Sequence, residues 1–131
     1  GAVRLAEREI LPVLRTLDVF GFHLAALDVR QNSFFHDKAL AQLLTAAGIP
    51  DGATFAEWPE SRRVEFLNRE LESHRPFTTD PSQAGSEAEA VVQCYRVLAT
   101  HIDRYGSAGV GSLIVSMTRK LSDLLTVYVL A

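Results

Sequence analysis

The chain has a single cysteine, Cys94, among its 131 residues. One thiol can neither close an internal disulfide nor build a cysteine zinc site, and such scarcity fits a reducing cytoplasm better than secretion. No apolar run reaches the roughly 18 residues of a membrane span, and the N-terminus lacks the basic-then-apolar order of a signal peptide. Positive charge is not in surplus either. Lys and Arg total 13 against 16 Asp and Glu, a net charge of -3, so neither nucleic acid nor an anionic membrane is expected as a partner. His23, His36, His74 and His101 show no metal-ligand spacing and no HExxH pattern occurs, so no metal site is expected within the chain. Internal repeats and low-complexity tracts are missing too.

What is present is a globular composition, with 47% hydrophobic residues, enough for one domain or one piece of a larger one. The chain starts at Gly1 rather than Met and closes on LLTVYVLA without a capping residue. The expectation is a single segment, residues 1–131, of something longer.

Apolar spacing predicts a helix from Ala2 to Phe20, with Ala6, Ile10, Val13, Leu14 and Leu17 on one face, Pro12 as a kink or restart and Gly21 as the cap. Phe22 to Arg30 reads as a strand that is apolar on both faces until its last residues. Phe22, Leu24, Ala26, Asp28 and Arg30 lie on one side, and His23, Ala25, Leu27 and Val29 on the other, the pattern of a buried parallel strand. A helix follows at about Ser33 to Ala47, with His36, Leu40, Leu43, Leu44 and Ala47 on one face, ended by Gly48. Thr54 and Glu57 have capping-box spacing ahead of an amphipathic helix from about Glu60 to Ser73, with Val64, Leu67 and Leu71 inward. Its interleaved acids and bases read as a solvated face with local ion pairs. Turn formers dominate residues 73–85, where a flexible connection is expected at about 74–85. Ser86 and Glu89 form a second capping box, opening a long helix that Gly106 ends; VGSLIVSM is the second buried strand, and a last helix begins near Ser122.

The order predicts an α/β fold, predominantly helical, with two parallel strands joined by an enlarged, right-handed helical crossover. Two strands cannot cover each other, so open edges are expected, and with them self-association.

Reacting groups in parallel α/β folds collect at the C-terminal ends of strands. Arg30 stands at such an end, and Ser116 and Met117 at the other. A planar guanidinium there suits a phosphate or carboxylate, because it makes paired charge-assisted bonds and stays protonated. The competing reading is an arginine paired structurally with Asp28 or with an acid of a neighbouring strand. Gly106, Gly109 and Gly111 precede a strand rather than follow one, so they set turn geometry rather than cradle phosphate. His36 lies on the apolar face of its helix, close enough to the strand end to orient something near Arg30. Cys94, beside Tyr95, reads as a small buried hydrophobe.

Three stretches, VFGFHLAALDVRQNSFFH (Val19 to His36), FAEWPESRRVEFLNRELESHRP (Phe55 to Pro76) and GSLIVSMTRKLSDLLTVYVL (Gly111 to Leu130), resemble in order and spacing segments of phosphoenolpyruvate carboxylase. LDVRQ, and VSM followed by SDLL, are the most specific. The resemblance implies a segment of a (β/α)8 barrel in a cytoplasmic, usually homotetrameric enzyme. That enzyme uses Mg2+ or Mn2+ to carboxylate phosphoenolpyruvate with bicarbonate, yielding oxaloacetate and phosphate through carboxyphosphate and an enolate. It makes Arg30 a ligand of the substrate phosphate, with Asp28, Gln31 and His36 as supporting residues. Asn32 stands where the family usually has glutamate, Phe35 where a basic residue is common, and Lys120 where small residues are frequent. The family's metal acids, catalytic histidine and glycine loop belong to other segments, so this segment alone is expected to be inactive. The alternative, from another class, is an independent helical domain that binds a protein partner through its open edges and carries no catalysis.

Overall fold

The computed structural model describes residues 2–131 except Leu24, His74 and Thr79. Leu24 of the expected first strand, and His74 and Thr79 of the expected flexible connection, therefore lie outside the described residues, as does Gly1.

The first helical stretch is interrupted. Helix α1 (Ala2–Leu5) passes into a π-helical turn, Ala6–Ile10, and then into α2 (Leu11–Phe20). Pro12 has no N–H to offer the Arg8 carbonyl, and its ring would press against that carbonyl in a regular helix. The Leu11 N–H bonds instead to the Ala6 carbonyl, widening the turn just ahead of the proline. The apolar face of α2, including Val13, Leu14 and Leu17, stays exposed. Gly21, at φ 59°, ends the helix with its N–H on the Leu17 carbonyl at 2.7 Å.

Strand β1 (Leu27–Asn32) starts later than the apolar pattern suggests and continues past Arg30. Its parallel partner β2 (Val110–Ser116) sets the limit, because the pairing starts at Leu27 opposite Val110 and ends at Asn32 opposite Ser116. The alanines at 25 and 26, weak strand formers, are left unpaired by it. Among the described residues the sheet has two strands, with both outer edges open. Burial on both faces is not found: Leu27, Leu113 and Ile114 are exposed. Among the described residues the helices pack chiefly on one another, and α3 packs against β1.

The core lies among α3 (Ser33–Ala46), α4 (Glu60–Leu71), α5 (Ser86–Tyr105) and α6 (Leu121–Leu130), with a 3-10 turn, Gly52–Glu57, against α3. Leu40, Leu44, Phe55 and Leu67 are fully buried there, with Trp58 edge-on to both Phe55 and Phe66. Each such side chain contributes about 1.5–3 kcal/mol. The inward face of α4 is Arg63, Phe66 and Leu67, with Leu71 exposed rather than inward. A short 3-10 turn, Pro81–Gln83, interrupts the connection to α5.

Neither expected capping box forms. The Thr54 hydroxyl donates to the Asp51 carbonyl inside the 3-10 turn, and α4 begins after Pro59. At α5 the cap comes from another helix. The Gln42 side-chain oxygen accepts from the Ala88 N–H at 2.9 Å, and its amide nitrogen donates to Glu87 at 2.7 Å. One amide thus satisfies an orphan N–H of the helix start and fixes the angle between α3 and α5. Gln42→Ala should cost about 1 kcal/mol, read as a lower urea midpoint. The same cost from Ser86→Ala and none from Gln42→Ala would show that the local residue caps the helix after all.

Candidate functional site

The chain leaves β1 directly into α3. Asn32 is both the last strand residue and the helix cap, its side-chain oxygen accepting from the Phe35 N–H at 2.8 Å. Side chains just before this junction are therefore held on two sides, by the ladder with β2 and by the start of a helix.

Arg30 sits opposite Ile114 in that ladder, and its side chain is 71% exposed. One Nη2 donates to Asp28 Oδ2 at 3.0 Å. Asp28 is itself fixed. Its other oxygen accepts from the Ser112 N–H at 3.0 Å, filling an irregularity where Leu27 faces Val110 but Val29 faces Leu113. Gly111 is a glycine for this reason, because a Cβ there would lie 2.5 Å from that Asp28 oxygen. The Ser112 N–H first, and Arg30 second, hold the Asp28 carboxyl below its ordinary range. Among the described residues Arg30 has no other partner. The pairing with Asp28 is thus real, and it leaves the rest of the fork facing solvent.

Gln31 is not brought to Arg30, since its side-chain oxygen accepts from the Asn32 N–H at 2.9 Å. His36 is fully buried. Its Nδ1 lies 3.1 Å from the Asn32 carbonyl and so carries the proton, which leaves Nε2 to accept from the Tyr95 hydroxyl at 2.9 Å. Burial pulls the imidazole below its ordinary range despite the Asn32 carbonyl, and burial pushes the Tyr95 hydroxyl up to about 12. Both are uncharged at neutral pH. Arg30 and His36 nevertheless line one cleft of about 120 Å³, with Gln31, Phe35, Cys94 and Tyr95. The rest of the wall is apolar, with Val29, Ala90, Val91 and Leu113, so any hold on an anionic oxygen rests on the one permanent cation, Arg30.

At the end of β2, Ser116 faces Asn32. Met117 follows with φ 58°, a left-handed backbone in a residue that is not glycine, and its carbonyl accepts from the Ser33 hydroxyl at 2.9 Å.

A second polar feature was not read from the sequence. Arg63, 3% exposed, donates to Asp37 and approaches Asp123 at 3.4 Å; Arg119 reaches Asp37 at 3.4 Å and Asp123 at 3.3 Å. Burial raises the Asp37 carboxyl despite Arg63. Burial also works against charge on Asp123, but the N–H and side chain of Arg119 and the N–H of Lys120 hold that group below its ordinary range. Next to the cluster, Glu60 accepts from the Ser122 N–H at 3.0 Å and hydroxyl at 2.6 Å. The available signal was spacing: Arg63 lies three and four residues ahead of Phe66 and Leu67, on their face. Among the described residues no three His, Cys, Asp or Glu side chains converge. The buried carboxylates face guanidinium groups, so these residues do not fit a divalent cation.

A family model described as phosphoenolpyruvate carboxylase matches residues 1–131. The phosphoenolpyruvate carboxylase of Mycobacterium avium (strain 104) is 38% identical over 131 residues, 99% of this chain and 14% of its own length. That of Roseiflexus castenholzii is 37% identical over 131 residues, 100% of this chain and 14% of its own. Phosphoenolpyruvate carboxylase 4 of Arabidopsis thaliana is 34% identical over 130 residues, 99% of this chain and 12% of its own. The chain thus spans 12–14% of the length of these curated relatives.

Proposed function

The chain belongs to the phosphoenolpyruvate carboxylase family, and on that premise we propose that it is part of an enzyme that carboxylates phosphoenolpyruvate with bicarbonate to give oxaloacetate and phosphate. The observation that carries this reading to a residue is Arg30. It is a guanidinium on a parallel strand, anchored by Asp28 on one side and open on the other.

In this reading the open donors of Arg30 hold the phosphate. Phosphoryl transfer moves the group from the enol oxygen to a bicarbonate oxygen, with charge spreading over the phosphoryl oxygens on the way. A fork already fixed by Asp28 meets that charge without reorganising. His36 and Tyr95, neutral and bonded to each other, shape the cleft wall and do not move a proton. Mg2+ or Mn2+ would be held by residues outside this chain, so no step is assigned to it here. The two strands would be consecutive strands of a (β/α)8 barrel with its neighbours along the open edges. The whole enzyme would be a cytoplasmic homotetramer, and this chain alone would be inactive. No helix among the described residues is long and apolar enough to cross a membrane. The exposed face of α2 also fits an independent interaction domain. That alternative leaves the exposed guanidinium of Arg30 without a use.

A longer chain containing this one, given phosphoenolpyruvate, bicarbonate and Mg2+, should form oxaloacetate and phosphate in equal amounts, and this chain alone should form neither. Phosphate release that does not require bicarbonate, or full turnover by this chain alone, would overturn the proposal.

A further inference from the structure

The segment that follows β2, Met117 to Lys120, is tied down more heavily than an exposed turn requires. The Ser33 hydroxyl holds the Met117 carbonyl, and the Thr118 hydroxyl donates to Val115 at 3.1 Å. The N–H groups of Arg119 and Lys120 both donate to Asp123, at 2.8 and 3.3 Å, and the Arg119 side chain reaches Asp37 as well as Asp123. Met117 is 72% exposed and left-handed, a conformation that persists only when its surroundings over-determine it, and such residues gather at functional sites. Ser33 is buried and directly follows β1, the strand of Arg30.

The backbone ties of residues 119 and 120 converge on Asp123, and the Arg119 side chain spans from Asp123 to Asp37. Its head is half exposed, yet its two acidic partners are fully buried and are held from below by Arg63. A guanidinium that spans two buried acids stabilises their cluster, and the same contacts give residues at a strand end a rigid support, which keeps a site in its productive geometry.

We propose that Arg119 is a positioning residue: it suspends the Met117–Lys120 turn from buried Asp37 and Asp123, so that the ends of β1 and β2 hold a fixed mouth beside Arg30. The inference rests on the proposed carboxylase reading. Arg119 touches no substrate and acts through the turn.

The test is made in the longer enzyme, with Arg119→Ala, Arg119→Lys and, as the control for the reading itself, Arg30→Ala. For Arg119→Ala the thermal midpoint should fall, since buried Asp37 and Asp123 are left to Arg63 alone, and in the enzyme that stays folded the KM for phosphoenolpyruvate should rise about tenfold, the loss of a charge-assisted contact acting through geometry. Arg119→Lys should recover part of the KM, since it keeps the charge but not the fork. If Arg119→Ala lowers the thermal midpoint while KM and kcat stay at their starting values, the residue is merely structural and the proposal fails. In that case a large loss in Arg30→Ala shows that the carboxylase reading stands without it, and no loss shows that both fall together.

Discussion

Arg30→Ala in the longer enzyme should lower kcat/KM for phosphoenolpyruvate about a hundredfold or more, the usual cost of removing one preorganised donor from a developing anion. The fold should survive the change. Arg30 is exposed, its one partner is Asp28, and Asp28 keeps the Ser112 N–H when the guanidinium goes. The urea midpoint should therefore hardly move, since an exposed pair contributes about 0–1 kcal/mol. Arg30→Lys should fall between the two, because an ammonium keeps charge but cannot bond both Asp28 and a phosphate in one plane. Asp28→Asn should also lose activity, by leaving the fork unanchored. Steady-state kinetics on the purified variants decide the matter: a fall in kcat/KM of less than about threefold for Arg30→Ala would return Arg30 to the role of a structural partner of Asp28.

How far each feature could be read from the chain depended on how local its cause was. The α3 face of His36, Leu40, Leu43 and Leu44 is buried as its spacing requires, because a helix of that length expresses its own periodicity. The second strand was legible to within a residue, ending at Ser116 rather than Met117. The first strand was not, because apolar alanines alone cannot say where a partner begins. The two capping boxes failed for a related reason. Serine or threonine followed by glutamate competes with whatever the tertiary structure brings, and at α5 it brings Gln42. Arg30 and Asp28 were visible as neighbours on one strand face, and they do meet. Gln31 and His36 were named with them; both line one cleft with Arg30, while their own hydrogen bonds go to the Asn32 N–H and to Tyr95. Arg63 was hidden inside an interleaved charge run that resembles solvated surface. Its partners, Asp37 and Asp123, are far away along the chain.

That hidden arginine gives the largest expected effect on stability. Arg63→Ala should destabilise the chain by about 3–5 kcal/mol, the cost of breaking a buried pair and leaving its acids uncompensated. Asp37 and Asp123 would remain among α3, α4 and α6 with Arg119 alone, which reaches them from the surface at 3.3–3.4 Å. The guanidinium also lies 4.6 Å from the Phe55 ring centre, so truncation opens a hole beside the core as well. Arg63→Lys should not rescue fully. One ammonium cannot reproduce the planar contact with both acids and the ring. Net attraction is not what makes the loss large. Arg63 Nε has no partner among the described residues, and a buried charge cluster often contributes less than apolar side chains of equal volume. Replacing Arg63 and Asp37 together by Met and Leu should therefore recover most of what Arg63→Ala loses, with Asp123 kept because it accepts the Arg119 and Lys120 N–H groups and pairs with Arg119. Urea unfolding of the single and double variants separates the two effects. A double variant as unstable as Arg63→Ala would mean that the Arg63–Asp37 pair itself carries the stability, rather than the penalty of leaving an acid unpaired.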